Sequence, residues 1–254
     1  MDYIVIKLGG SLISSEEKVV DYNLVKGYTE EIRGFFEERN KDNKRVILVV
    51  GGGNASREYR ETALNCGEDS DVDQHRIGIT ATWLNAELFR SLLDDLAYKR
   101  VLGVGVYAEN RKEGEERIGK DFKDWLSGNG QLLISGGFVN GASTDFNAVL
   151  LASKIGLDEI YKLTNIDFVY SEDPAKSKVS KPIKDISWKD YLQLFGQSID
   201  DVTHIPSAHI PIDTLAARLA DENDVTCHLM DGRDPTVIRD VFAGKDVVGT
   251  LLHP

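Results

Sequence analysis

Two apolar runs close to the start of the chain each end in a glycine cluster. Tyr3-Ile4-Val5-Ile6 leads into Lys7-Leu8-Gly9-Gly10-Ser11, and Val46-Ile47-Leu48-Val49-Val50 leads into Gly51-Gly52-Gly53. Short, β-branched apolar runs of this kind read as buried strands of a parallel sheet. If both strands end in glycine, two sets of bare backbone N–H groups lie side by side at one edge of that sheet. Glycine lets the backbone approach an anion closely, and the N–H groups opening the following helix point at its oxygens. Two phosphates can then be held facing each other, which points to phosphoryl transfer. A glycine at a strand end is also ordinary turn chemistry. Repetition favours the phosphate reading, with Lys7 at the first turn and Arg57 four residues beyond the second.

Charge sharpens this inference. The 254 residues carry 42 acidic against 30 basic side chains, a formal net charge of -12, which argues against non-specific binding to nucleic acid or anionic membranes. An acidic protein that handles polyanions must gather its cations at one place, with a divalent metal to offset the rest. With 41% hydrophobic residues the chain has enough apolar material for one large α/β unit. No apolar stretch approaches the ~20 residues that span a bilayer, and Met1-Asp2 lacks the basic start of a leader, so a cytoplasmic location is expected. Cys66 and Cys227 have no metal-binding spacing and read as buried free thiols.

Helical spacing of Val25, Tyr28, Ile32 and Phe35/Phe36 predicts a helix capped by Asp21 and ended by the polar Asn40–Lys44. Further helices are expected over Ala55–Leu64 and about Gln74–Leu96, the second with Ile77, Thr80, Ala81, Leu84, Leu88 and Leu92 on one face. Val101–Val106 reads as a strand and Glu109–Arg117 as a charged loop and helix start. Leu132–Ile134 is a strand ending in a third glycine turn, Ser135-Gly136-Gly137, followed by a helix over Asn147–Lys154 and a strand over Glu159–Leu163. The alternation implies a mainly parallel sheet. Asn165–Lys184 reads as a hairpin or exposed loop. After it come a Ser187-capped helix to Phe195, an extended His204–Pro211, a helix over Ile212–Ala220, a strand over Thr226–Met230, a helix over Thr236–Ala243 and a closing strand over Gly249–Leu252.

These motifs occur in a telling order: Lys7–Ser11, Gly51–Gly53 with Arg57-Glu58-Tyr59, Gly136-Gly137 with Ser143-Thr144-Asp145, Thr164-Asn165-Ile166-Asp167 with Tyr170 and Asp173-Pro174, Ile212-Asp213 with Ala216-Ala217, and Gly249-Thr250. The series resembles the amino acid kinase superfamily along nearly the whole chain, and within it the archaeal type of uridylate (UMP) kinase. The resemblance implies a three-layer α-β-α sandwich around a mainly parallel sheet, with one domain over 1–254. Residues 1–160 would form an acceptor-binding half and 161–254 an ATP-binding half. It implies transfer of the ATP γ-phosphoryl group to UMP, with Mg²⁺ accompanying ATP, and a homo-oligomer, dimer or hexamer, with Val25–Phe36 or Ile77–Leu92 at the contact.

Carried over by position, Lys7 and Asp145 are the candidate catalytic pair, Asp145 orienting Lys7. Gly10, Ser11, Gly53 and Arg57 would meet the ATP phosphates and the transferring group; Thr164, Asn165, Tyr170 and Asp173 would hold the adenine nucleotide. Gly52, His75 and the loop Phe138, Val139, Asn140, Gly141, Ala142, Ser143 and Thr144 would hold the acceptor. Some positions depart from the family pattern. His75 stands where a ribose-gripping Asp is usual, Trp83 replaces an Arg, Asn140-Gly141-Ala142 replaces Pro-Gly-His, and Phe168 replaces a glycine. A kinase of another small phosphate or carboxylate therefore stays open, as does a non-catalytic nucleotide-binding protein on the same fold.

Several of these residues have a second reading. Asp145 could cap the helix that follows, Arg57 could pair with Glu61 at helical spacing, and Lys162 could be a second phosphate ligand or a lysine snorkelling from its strand. Trp83 could be core or could stack on a base. His204 and His209, with His75 or His228, lack the carboxylate or cysteine spacing of a metal site, and no metal-ligating set is expected.

Overall fold

The computed structural model describes residues 2–15, 18–38, 44–177, 179–200 and 210–254. His204 and His209, and most of the polar stretch Asn40–Lys44, lie outside them. Strand β1 (Asp2–Leu8) runs third from one edge of a seven-stranded sheet. Its neighbours are β2 (Lys44–Val50) and β4 (Glu159–Thr164), both parallel to it. Strand β3 (Leu132–Ser135) forms one edge beyond β2. Strands β8 (Thr226–Asp231), β9 (Thr250–His253) and β7 (Asp185–Ser187) complete the other side, where the β8–β9 pair is antiparallel. Strands β5 (Val169–Tyr170) and β6 (Pro182–Ile183) form the expected hairpin.

The period of two along each strand splits the core into two layers. Val5, Ile47, Val49, Ile160 and Cys227 face one apolar cluster, together with helices α4 (Arg111–Ser127), α5 (Thr144–Lys154), α6 (Trp188–Leu194) and α7 (Thr214–Glu222). Ile6, Leu8, Val46, Leu48, Val50 and Tyr161 face the other, with α1 (Tyr22–Glu38), α3 (Asp71–Leu92) and α8 (Ile238–Ala243). The three-layer sandwich follows directly. Helix α1 carries the expected stripe, and the Asp21 carboxylate accepts from the N–H groups of Asn23 and Leu24 as its cap.

The structure extends the sequence reading at Glu109–Arg117, where a loop and helix start were expected, and differs from it elsewhere, as in the unread strand β7. Val101–Val106 is no strand: Gly103 and Gly105 adopt φ of 93° and 78°, and the segment touches the sheet through isolated bridges such as Leu102 to Ser135. The charged stretch from Glu109 opens the 17-residue helix α4, capped by Asn110, whose side chain accepts from Glu113 N–H. Its buried stripe, Gly114, Ile118, Phe122 and Trp125, lies largely beyond the stretch whose charges hid it. In α3 the expected stripe is split: Thr80 and Leu84 turn outward, with Leu84 67% exposed, Ile77 is half-buried, and Ala81 is buried with Ile79, Thr82, Ala86 and Phe89. Cys66, finally, is exposed at the end of α2 (Gly53–Asn65), and Cys227 alone is buried.

Candidate active site

The first two glycine turns meet backbone to backbone. A Cβ on Gly10 would lie 2.0 Å from the Gly53 nitrogen, and one on Gly51 would lie 2.6 Å from the Gly10 nitrogen. Gly53 has φ of 61°, in the left-handed region where a side chain is strained. Ser14 ties the two turns together: its hydroxyl donates to the Gly10 carbonyl at 3.0 Å and accepts from Asn54 N–H at 3.0 Å. From α3, the buried Asn85 amide donates to the carbonyls of Gly51 and Gly52 at 2.9 and 3.0 Å. Thr82 Oγ1 accepts from Gly137 N–H at 2.7 Å, and the Trp83 indole N–H donates to the Gly137 carbonyl at 2.6 Å. One helix thus fixes both the second and the third glycine turn. Trp83 is neither core nor a free stacking face, since its ring also leans on Tyr107 at 4.7 Å.

Lys7 and Lys162 occupy paired positions on β1 and β4. Both point toward α5, where Asp145 lies between them. Lys7 Nζ is 3.0 Å from Asp145 Oδ1, an ion pair without hydrogen-bond alignment; Lys162 Nζ donates to Asp145 Oδ2 and to the Pro211 carbonyl. All three side chains are buried. Burial by itself would raise the Asp145 pKa, but the charges of Lys162 and Lys7 outweigh it and hold the carboxyl below its ordinary range. Burial lowers the Lys162 pKa to about 8 against the opposing pull of Asp145, and Lys7 lowers it further. Lys162 therefore neither snorkels to solvent nor stands free for a phosphate; it is locked into the cluster. Two ammoniums and one carboxylate leave one net positive charge behind the glycine turns.

Asp145 does not cap α5. Ser143 does, accepting from the N–H groups of Asp145 and Phe146 at 3.0 and 3.3 Å. The Ser143 hydroxyl in turn donates to Asp213, the cap of α7, which accepts from Leu215 and Ala216 N–H. The Arg57–Glu61 pair does not form: Arg57 is exposed and its guanidinium donates to Asn54 Oδ1.

A cleft of about 210 Å³ lies beside the second turn, far larger than the ~10–15 Å³ that admits one water. Gly52, Ser56 and Arg60 of the turn and α2 form one wall. Gln74, His75, Gly78, Ile79 and Thr82 of α3 form another, and Gly137, Ala142, Ser143 and Thr144 close it. Of the expected acceptor residues, Gly52, His75 and 142–144 therefore gather at one cleft. Phe138 and Val139 do not line it; their side chains are buried against Gly103 and Gly114. Asn140 is half-buried, and Gly141 turns with φ of 73°. On the other side, Gly9 packs against the end of β4, where a Cβ on it would lie 2.9 Å from the Leu163 carbonyl oxygen and 3.5 Å from Thr164 Cα. The Tyr170 hydroxyl donates to Asp167 at 3.1 Å, and Asp173 accepts from Ala175 N–H at 2.9 Å in an exposed turn. Arg60, Asn85, Thr82 and Ser14 were not anticipated. A cation at i+7 from a glycine turn, on the face of its helix shared with Gly52 and Ser56, was the available signal for the first.

The profile of the amino acid kinase family matches residues 2–231. The chain belongs to that family. Within the amino acid kinase family it is 28% identical over 251 residues to the uridylate kinase of Methanococcus aeolicus, covering 99% of each chain. It is 30% identical over 232 residues to that of Pyrobaculum aerophilum, covering 91% of each. The crystal structure of uridylate kinase from Archaeoglobus fulgidus superposes with a TM-score of 0.71 at 27% identity, covering 99% of this chain and 100% of that one. The UMP kinase structure from Bacillus anthracis shares the fold, with a TM-score of 0.67 at 20% identity.

Proposed function

We propose that this protein transfers the γ-phosphoryl group of ATP to UMP, giving UDP. The observation that carries the reading is the buried Lys7–Asp145–Lys162 cluster, which stands behind two interlocked glycine turns and beside a cleft. The names of its relatives support UMP as acceptor. In this reading UMP occupies the cleft, with its phosphate at the Gly52 end. Residues 1–160 serve the acceptor and 161–254 serve ATP. Gly10, Ser11, Gly53 and Arg57 meet the ATP phosphates, and Thr164, Asn165, Tyr170 and Asp173 hold the nucleotide.

The acceptor phosphate is already anionic at neutral pH, so no general base is required, and catalysis rests on positioning and charge stabilisation. Lys7 is the group that offsets charge on the phosphoryl group in flight. Asp145 and Lys162 fix where its ammonium sits. Both Asp145 oxygens face lysines, and no cage of three or more His, Cys, Asp or Glu exists among the described residues. Mg²⁺ would come with ATP and would offset the charge of its phosphates, and Asp145, held by two lysines, is not assigned to it. No helix among the described residues is long and apolar enough to cross a membrane. The outward face of α2 and α3, with Tyr59 66% and Leu84 67% exposed beside Ile77 and Ala81, is the surface on which a homo-oligomer would assemble.

A panel of nucleoside monophosphates and small phosphate or carboxylate acids, each with Mg-ATP, tests the reading. UMP is expected to give UDP with the highest kcat/KM. Turnover of a different acceptor, with none of UMP, would overturn it.

A further inference from the structure

Arg60 is an arginine without an acid. It sits on α2 two turns beyond the Gly51–Gly53 turn, on the cleft wall that it shares with Gly52 and Ser56. Its Nε is buried with no hydrogen-bond partner, and no ion pair reaches its guanidinium among the described residues. Elsewhere in this acidic chain Arg33 pairs with Asp95, Arg90 with Glu87 and Arg111 with Glu115, and Arg57 and Arg45 donate to Asn54 Oδ1 and to backbone carbonyls. The cleft offers Arg60 no carboxylate. Its lining contains no Asp or Glu, and its other basic residue is His75.

The direction of the side chain narrows what it is for. Helical side chains lean toward the N-terminus of their own helix, which carries Arg60 back toward Ser56 and Gly52. The packing agrees, because Arg60 Cδ and Ser56 Oγ lie side by side over Gly78: a Cβ there would be 3.5 Å from the first and 3.3 Å from the second. The arginine stem thus packs beside Ser56 against α3 at Gly78. That lean carries the cation along the cleft wall in the direction of the glycine end. A buried guanidinium nitrogen without a partner is costly unless an anion completes it, and its fork matches the oxygens of a phosphate monoester.

We propose that Arg60 is the anchoring ligand for the phosphate of the acceptor, the charge-reading residue of the cleft. The proposal rests on the reading of this cleft as the acceptor site. Arg57, exposed and engaged with Asn54, is left to the ATP side. Specificity then lies in the acceptor's phosphate: the cleft admits a phosphate monoester and rejects the same molecule without its phosphate.

Calorimetry on the full chain with UMP, uridine, ATP and inorganic phosphate tests this. In R60Q, UMP affinity should fall about ten- to a hundredfold, the range for a charge-assisted bond, while uridine and ATP affinities stay within about twofold. R60K, which keeps the charge but loses the fork, should lie between, and it guards against misfolding of the first variant. R57Q should instead weaken ATP more than UMP. If R60Q keeps the wild-type ratio of UMP to uridine affinity, the proposal is overturned, while UMP turnover by that variant leaves the UMP reading intact. If the wild type turns over no nucleoside monophosphate, inorganic phosphate decides: thermal protection of the wild type that R60Q loses supports Arg60 as the anion ligand and sinks only the UMP reading. Equal protection of both, or binding of neither UMP nor phosphate by the wild type, overturns the proposal.

Discussion

Replacing Asp145 by Asn keeps the size and the hydrogen-bonding shape of the side chain and removes one charge. The Ser143 cap of α5 is untouched, because it uses the backbone N–H groups of Asp145 and Phe146. What remains is two ammoniums at paired strand positions, with side-chain exposures of 8% and 4%, and no carboxylate between them. Removing one partner of a buried ion pair costs about 3–5 kcal/mol, since the surviving charge is left desolvated, and here two charges survive. For a chain of this size that is a fall in Tm of roughly 6–20 °C. Urea unfolding at pH 7, followed by circular dichroism at fixed protein concentration, measures it. The mechanism makes a second demand. Adding Lys162→Met to Asp145→Asn removes one uncompensated ammonium, so the double variant should be more stable than Asp145→Asn alone, and the full cycle with Lys162→Met should give an interaction energy of about 0.5–3 kcal/mol. A loss below about 1 kcal/mol for Asp145→Asn, or a double variant less stable than that single one, would refute the electrostatic account of this cluster.

Lys7→Met should lower kcat by the equivalent of about 2–4 kcal/mol, with ATP affinity changed much less, since the ammonium acts on charge that develops in the transition state; steady-state kinetics with a nucleotide-binding titration separates the two. Lys162 binds its proton less tightly in the fold, at about 8 against 10.5. The unfolded chain therefore holds more protons between those values, and this group makes stability rise with pH across that window by up to about 3 kcal/mol. Lys162→Met should abolish that part of the rise when the two pH profiles are subtracted. Gly10→Ala would drive a Cβ to 2.0 Å from the Gly53 nitrogen, forcing the two turns apart; activity should be lost and the urea midpoint lowered, and an active Gly10→Ala enzyme would show that the turns need not touch. Tyr59→Lys with Leu84→Lys should shift the protein to smaller species in light scattering if the outward face of α3 is the assembly surface.

Much of the architecture is legible in local pattern. The apolar runs of β1, β2, β3, β4 and β8, the stripe of α1 and its Asp21 cap, and the Asn165–Lys184 hairpin are decided by residues near one another in the chain. Errors fall where local signals conflict. Glu109–Arg117 is too charged to look like a buried helix, yet its Arg111–Glu115 and Glu113–Arg117 pairs support one at its exposed face, and Ile118, Phe122 and Trp125 bury it. Val101–Val106 has the composition of a strand, but Gly103 and Gly105 take backbone angles that no ladder accommodates. In α3 two stripes compete, and the more apolar one is split, Leu84 facing outward and Ile77 half-buried, because Asn85 and Thr82 must face the glycine turns they hold.

The sequence by itself determined the chemistry on offer: glycine turns that bare backbone N–H groups, a lysine at the first of them, and Asp145 just ahead of a helix expected from Asn147. Only the tertiary structure decided which charges meet. Lys7 and Lys162 lie in distant strands, and nothing local relates them. The register that pairs Lys7 with Lys162, and the period of two that turns both toward α5, make them neighbours, and Asp145 is the counter-charge that lets two like charges be buried together. Arg60 is the converse case, a charge the fold leaves without a counterpart. Local pattern cannot reveal that absence, because whether a carboxylate reaches a guanidinium depends on every chain segment that borders the cleft.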